Sequence, residues 1–217
     1  MSTIEKAISE CRLVPVFNHP DAETGCRVVQ ACYEAGLRVF EWTNRGEHAA
    51  DNFLIVKEYI NQHCPGFYLG AGSIFDAKTC REFYQKGADF MVSPILDPDI
   101  ASACNELKIL WIPGCGTLTE IHQAQKWGAG IIKIFPGDAV GGPGFVQSIL
   151  GPMPWARLMP TGGVSPDYIN LKAWFDAGVV CVGMGSKLFT PDLVSDTMLL
   201  TRKIKEVREI IEEILIG

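Results

Sequence analysis

Four segments of the chain end a helical pattern on a glycine and run directly into an apolar β-rich stretch. They are EAGLRVF (34–40), QKGADFM (85–91), KWGAGII (126–132) and DAGVVCV (176–182). Eight such β-rich runs recur: LVPVF (13–17), RVFEW (38–42), YLGAG (68–72), FMVSP (90–94), LWIPG (110–114), IIKIF (131–135), RLMPTG (157–162) and VCVGMG (180–185). Most are near-continuous apolar runs, the pattern of parallel strands covered on both faces. Helical patterns lie between them. DAETGCRVVQACYEAG stops at Gly36, and TLTEIHQAQKWGAG opens with a capping-box pattern from Thr117 to Glu120. SPDYINLKAWFDAG has Ser165 as the expected cap and Pro166 as the first helical residue. Eight units of about 27 residues predict a compact α/β single-domain (β/α)8 TIM barrel spanning residues 1–217. Helices over 3–11 and 193–215 would flank it. An open doubly wound sheet is the alternative, but no G-x-G-x-x-G follows the first strand.

The 217 residues suffice for one sizeable core. A net charge of −6 speaks against a nucleic-acid or anionic-membrane surface as the main partner, though not against an anionic small molecule at a local site. The sequence has no apolar stretch of about 18 residues and no apolar signal segment near Met1, so the expected location is the cytoplasm. Eight cysteines without a C-x-x-C pair read as reduced core thiols. The four histidines lack ligand spacing, and no metal or cofactor is expected.

Polar residues that interrupt apolar strands carry the chemistry. Alternation in IIKIF puts Ile131, Lys133 and Phe135 on one face. With Ile132 and Ile134 covered by helices, Lys133 points into the barrel. An amine removed from water gives up its proton more readily, and a neutral amine is suited to forming a Schiff base with a carbonyl. The plainer reading is a lysine that snorkels to the barrel mouth to meet a carboxylate. Glu41 is the matching anomaly on the second strand, sharing a face with Val39. Across the cavity from an amine it can move protons. Arg45, four residues on, can grip a carboxylate with two donors. Two glycine-bearing turns, PTGGVSPD and GMGSKLF, follow strands seven and eight, where phosphate sites recur in this fold. Gly162, Gly163, Gly183 and Ser186 are the candidate contacts, helped by the dipole of a following helix. Ser73, in GAGSI, places a hydroxyl at the same rim.

The succession E-x-T-x-R, G-A-G-S, S-P, K-x-F-P, P-T-G-G-V and G-x-G-S resembles the 2-keto-3-deoxy-6-phosphogluconate (KDPG) and 4-hydroxy-2-oxoglutarate (KHG) aldolases, from LVPVF to GSKLF. The resemblance implies a class I, metal-free aldolase that assembles as a homotrimer. Lys133 would be the Schiff-base lysine and Glu41 the general acid/base. Arg45, Ser73 and Pro94 would line the pyruvate end; Thr161, Gly162, Gly163 and Ser186 would hold the far end of a phosphorylated 2-keto acid. The role of Pro94 and the trimer come from the resemblance alone. Trp42, Asn44, Ser73, Asp138 and Lys187 depart from the family's usual residues, with Asn44, Asp138 and Lys187 placed to affect specificity. Cleavage of KDPG to pyruvate and glyceraldehyde 3-phosphate, or of KHG to pyruvate and glyoxylate, is the expected reaction. The galactonate epimer of the phosphorylated substrate fits the same residues. A metal-free sugar-phosphate isomerase or a non-catalytic sugar-acid-phosphate binding protein would use the same pocket without an imine.

Overall fold

The computed structural model describes the whole chain, Met1–Gly217, and contains eight parallel strands. They are β1 (Leu13–Phe17), β2 (Val39–Thr43), β3 (Tyr68–Gly72), β4 (Phe90–Ser93), β5 (Leu110–Cys115), β6 (Ile132–Ile134), β7 (Leu158–Pro160) and β8 (Val182–Met184). Ten helices accompany them. Helix α1 (Thr3–Cys11) precedes β1; α2 (Ala22–Glu34), α3 (Ala49–His63), α4 (Ala77–Gln85), α5 (Pro98–Leu107), α6 (Leu118–Lys126), α7 (Gly142–Leu150) and α8 (Tyr168–Asp176) fill the seven crossovers; α9 (Pro191–Ser195) and α10 (Thr197–Ile216) follow β8. The strands run in the order β7-β6-β5-β4-β3-β2-β1-β8. An isolated bridge from Thr161 to Gly183, with Val180 N–H donating to Leu158 O, joins the two ends and closes the barrel.

Two apolar clusters follow from strand alternation. A ring of 52 buried residues lies between sheet and helices and includes Phe40, Trp42, Ile132 and Ile134. A smaller cluster fills the barrel interior: Val14, Val39, Phe90, Val92, Ile112, Ile131, Met159 and Cys181, plugged by Ile8 of α1. The plug is anchored. Ser2 and Glu5 form a reciprocal capping box, and Arg157 contacts Glu5 at 3.1 Å and Ser9 Oγ at 2.6 Å. The apolar layer therefore sits at the N-terminal end of the barrel, and polar interior residues are left for the opposite end.

Several local expectations need correction. The C-terminal helical segment is two helices, because Asp196 takes an extended backbone and its carboxylate accepts from Met198 and Leu199 N–H, capping α10. Short polar side chains compete with the helix ladder in this way. Helix α8 is capped by Asp167, not Ser165: the Asp167 carboxylate accepts from Asn170 N–H at 2.9 Å and from the Ser165 hydroxyl at 2.6 Å. A carboxylate is the stronger acceptor, and these bonds hold Asp167 below the usual carboxylate range. Pro166 accordingly lies outside the helix. At α6 the Thr117 hydroxyl caps Glu120 N–H as expected, but the Glu120 carboxylate reaches back one residue further, to Gly116 N–H. No helix is long and apolar enough to cross a membrane.

Candidate active site

Glu41 sits two residues above Val39 on the inward face of β2, and Lys133 two above Ile131 on β6. Both point into the barrel, and Lys133 Nζ lies 3.5 Å from Glu41 Oε1. Lys133 is 5% exposed and Glu41 0%. Neither oxygen of the Glu41 carboxylate has a hydrogen-bond partner. Taking such a pair out of water costs several kcal/mol per ion, so a chain that keeps it uses both groups or loses stability for nothing. Backbone without side chains makes the room: a β-carbon on Gly72 would land on the Glu41 carboxylate. Above the pair, the ring of Phe135 lies 5.0 Å from Lys133 Nζ.

Arg45 is exposed, yet three strand ends tether it. Its N–H donates to Thr43 O, its carbonyl accepts from Asn18 Nδ2 at 2.8 Å, and its Nε donates to Ser73 Oγ at 3.2 Å. Ser73 holds that position in a left-handed conformation (φ 57°), unusual for a residue with a β-carbon. Pro94 follows β4 at a corner fixed by Ser93, whose hydroxyl accepts from Trp111 Nε1 and donates to Ile95 O. Gly114, which pairs with Lys133, admits that corner, since any side chain there would collide with Pro94 O.

A cavity of about 450 Å³ opens at the C-terminal ends of the strands. Arg45, Thr161, Gly162, Gly163, Gly183 and Ser186 line it together, as does Phe135, the residue directly over Lys133. Lys133, Glu41, Ser73 and Pro94 are not on the cavity wall: Lys133 meets it through Phe135, Ser73 through Arg45, and Pro94 abuts Gly114, the strand partner of Lys133. Gly162 and Gly163 both have positive φ, 92° and 74°, a conformation that strains any residue with a side chain. Gly183 leaves space for the Thr161 hydroxyl, which is buried without a partner. No α-helix begins directly at either glycine turn, since α9 starts only at Pro191. Residues 185–189 form a single turn, with Leu188 and Phe189 N–H both bonded to Gly185 O, and α8 starts five residues beyond Gly163. A cation, Lys187, lines that side instead.

Sequence reasoning missed Asn18, which bridges β1 to β2, and the aromatic wall of Phe17 and Phe189, whose ring centroids lie 4.8 Å apart. The signal for Asn18 was an amide placed directly at a strand's C-terminal end. No three His, Cys, Asp or Glu side chains are grouped to hold a metal ion.

The model of the KDPG and KHG aldolase family matches residues 4–205. The KHG/KDPG aldolase of Escherichia coli K12 is 32% identical over 214 residues, covering 96% of both chains. The 2-dehydro-3-deoxy-phosphogluconate aldolase of Treponema pallidum is 30% identical over 191 residues, 88% of each. Among solved structures, the 2-keto-3-deoxy-6-phosphogluconate aldolase of Zymomonas mobilis ZM4 with 3-phosphoglycerate superposes with a TM-score of 0.80 at 26% identity, covering 94% of each chain. A match over nearly the whole barrel, on a chain carrying a buried strand lysine beside a strand glutamate, has one reading: the chain belongs to the KDPG and KHG aldolase family.

Proposed function

We propose that the protein is a class I aldolase that cleaves 2-keto-3-deoxy-6-phosphogluconate to pyruvate and glyceraldehyde 3-phosphate, or 4-hydroxy-2-oxoglutarate to pyruvate and glyoxylate. The observation that carries the proposal is the isolated Lys133–Glu41 pair at 3.5 Å, buried under a cavity at the catalytic end of the barrel.

In the mechanism, Lys133 Nζ in its unprotonated form adds to the C2 carbonyl, giving a carbinolamine. Glu41 delivers a proton to the departing hydroxyl, water leaves, and an iminium forms. Removal of the C4 hydroxyl proton lets the C3–C4 bonding electrons move toward the iminium nitrogen. The aldehyde leaves and an enamine remains. Protonation at C3 and hydrolysis release pyruvate and restore the amine. The 3.5 Å separation places Glu41 within reach of oxygen atoms on the carbon bound to Lys133. Arg45 holds the substrate carboxylate through its terminal amino groups, and Ser73 fixes the guanidinium. Thr161, Gly162, Gly163, Gly183 and Ser186 receive the distal group, with Lys187 as cation; Pro94 shapes the pyruvate end through Gly114. The 3-phosphoglycerate on the Zymomonas relative supports an anionic distal group here.

Residues 1–217 act as one catalytic domain, in the cytoplasm, as a homotrimer. Eight unpaired cysteines support a reducing compartment. Phe75 and Ile95 on the loops after β3 and β4, exposed by 58% and 40%, and Leu118 at the start of α6, exposed by 42%, support a self-association surface. The test is pyruvate release, followed through lactate dehydrogenase and NADH, from each substrate. The proposal expects release insensitive to EDTA and abolished in Lys133→Ala. No release from either substrate contradicts it.

A further inference from the structure

The cavity over Lys133 is not the only place open to Arg45. A second cavity of about 340 Å³ lies between the loops after β1 and β2, lined by His19, Glu47 and His48. Asn18 and Arg45 are the two residues that line both, so they form the wall between them. Arg45 has no ion pair to hold it on either side: no carboxylate lies within salt-bridge distance, and beyond Nε its guanidinium makes no hydrogen bond within the chain. Unrestrained, a long flexible side chain at a wall between two polar cavities would divide its time between them.

Asn18 supplies the restraint. Its Nδ2 donates to Arg45 O at 2.8 Å, and its Oδ1 accepts from the Thr43 hydroxyl at 2.9 Å. The amide orientation follows from chemistry, because a backbone carbonyl only accepts and the NH2 group must face it. The loop carrying Asn18 is itself fixed. The buried Asn52 donates to His19 O and Pro20 O, and Asp21 caps α2. The last residues of β1 and β2 are thereby stitched through one side chain, and the Arg45 backbone is fixed where Ser73 can orient the guanidinium.

We infer that Asn18 is the positioning residue of Arg45: it holds the arginine on the Lys133 side of the wall, so that the substrate carboxylate is gripped while the carbonyl meets the amine. The inference rests on the aldolase reading above, and it assigns Asn18 no contact with substrate. Two ketones separate positioning from general structure. Pyruvate carries the carboxylate that Arg45 would hold; hydroxyacetone presents a ketone without one.

The experiment measures the ketone concentration giving half-maximal borohydride trapping on Lys133, in wild type, Asn18→Ala, Arg45→Ala and the double variant. Loss of one or two hydrogen bonds to the arginine loop should raise the pyruvate concentration about three- to tenfold in Asn18→Ala. Hydroxyacetone should change less than about twofold, and in the Arg45→Ala background Asn18→Ala should add less than about twofold. Thr43→Val, which removes the hydroxyl anchoring Oδ1, serves the same comparison if Asn18→Ala does not fold. Equal losses for both ketones, an undiminished loss in the Arg45→Ala background, or no loss at all would overturn the inference and leave the aldolase reading standing. No pyruvate adduct in wild type would overturn both.

Discussion

Gly72 and Glu41 share one space: the side chain that Gly72 lacks is where the Glu41 carboxylate lies, and a β-carbon there would fall on Oε1. Gly72 pairs with Thr43 in the adjoining strand, so the backbone at that point is fixed by the β2–β3 ladder. Gly72→Ala must therefore push Glu41 away from Lys133. We expect kcat to fall on the order of a hundredfold, the scale of lost general acid–base catalysis, with a stability loss of about 1–3 kcal/mol from overpacking. Gly144→Ala, in α7 with open space around it, is the control and should leave kcat unchanged. Steady-state kinetics and urea unfolding on both variants check this.

In the proposed mechanism the Lys133–Glu41 pair trades stability for chemistry. Lys133→Met leaves a buried carboxylate without its partner and should destabilise by about 3–5 kcal/mol. Adding Glu41→Leu should recover most of that loss while leaving the protein inactive, because two apolar groups need no compensation there. Urea midpoints of the single and double variants measure it. A double variant no more stable than the single would show that packing, not the orphaned charge, governs the site.

Gly163 has φ 74°, and a β-carbon there would collide with Asp138. Gly163→Ala should cost about 1–2 kcal/mol in backbone strain. Its functional effect should be selective: a raised KM for the phosphorylated acid, with pyruvate trapping on Lys133 unchanged. An equal effect on pyruvate trapping would place this turn at the wrong end of the substrate.

Burial pushes the Cys115 and Cys181 thiols up to about 12 and Cys64 up to about 11, from an ordinary 9.0. All eight cysteines are unpaired, and Cys11 alone is not buried. At about pH 8, dithiobisnitrobenzoate should titrate at most Cys11 in the native chain and all eight after guanidinium unfolding. The same shift sets the alkaline limit. Below about pH 9 both states keep their thiol protons; above it the unfolded chain loses protons that the folded chain retains, so stability falls as pH rises. Each such thiol contributes a slope of about 1.4 kcal/mol per pH unit until the folded value is reached. Urea midpoints between pH 8 and 10.5 test the direction.

Much of this was legible from the residues. The strands that pair along most of their length, β1 to β5, fall within a residue or two of the apolar runs. Strands β6 to β8 are narrower than IIKIF, RLMPTG and VCVGMG suggested, because their ladders hold only three residues each before the chain turns out to the rim. Lys133 and Glu41 stood out since charge inside an apolar run is visible locally. Asn18 did not: an asparagine after a strand reads as an ordinary turn residue, and its partners Thr43 and Arg45 lie 25 and 27 positions away. Gly72 and Gly114 were read as strand positions, and what fills the space above them is a tertiary fact. A helix N-terminus at the GMGSKLF turn was a fold-level expectation; the chain forms a single turn there, with Lys187 on the cavity wall, and α9 begins only at Pro191.

Borohydride reduction of the protein in the presence of pyruvate, followed by intact and peptide mass spectrometry, reads an imine on Lys133 directly. One stable adduct is expected, on the peptide containing Lys133, absent from Lys133→Ala and reduced in Glu41→Gln. A folded wild-type protein that gives no adduct, or gives it on another lysine, would mean that Lys133 is not the Schiff-base residue.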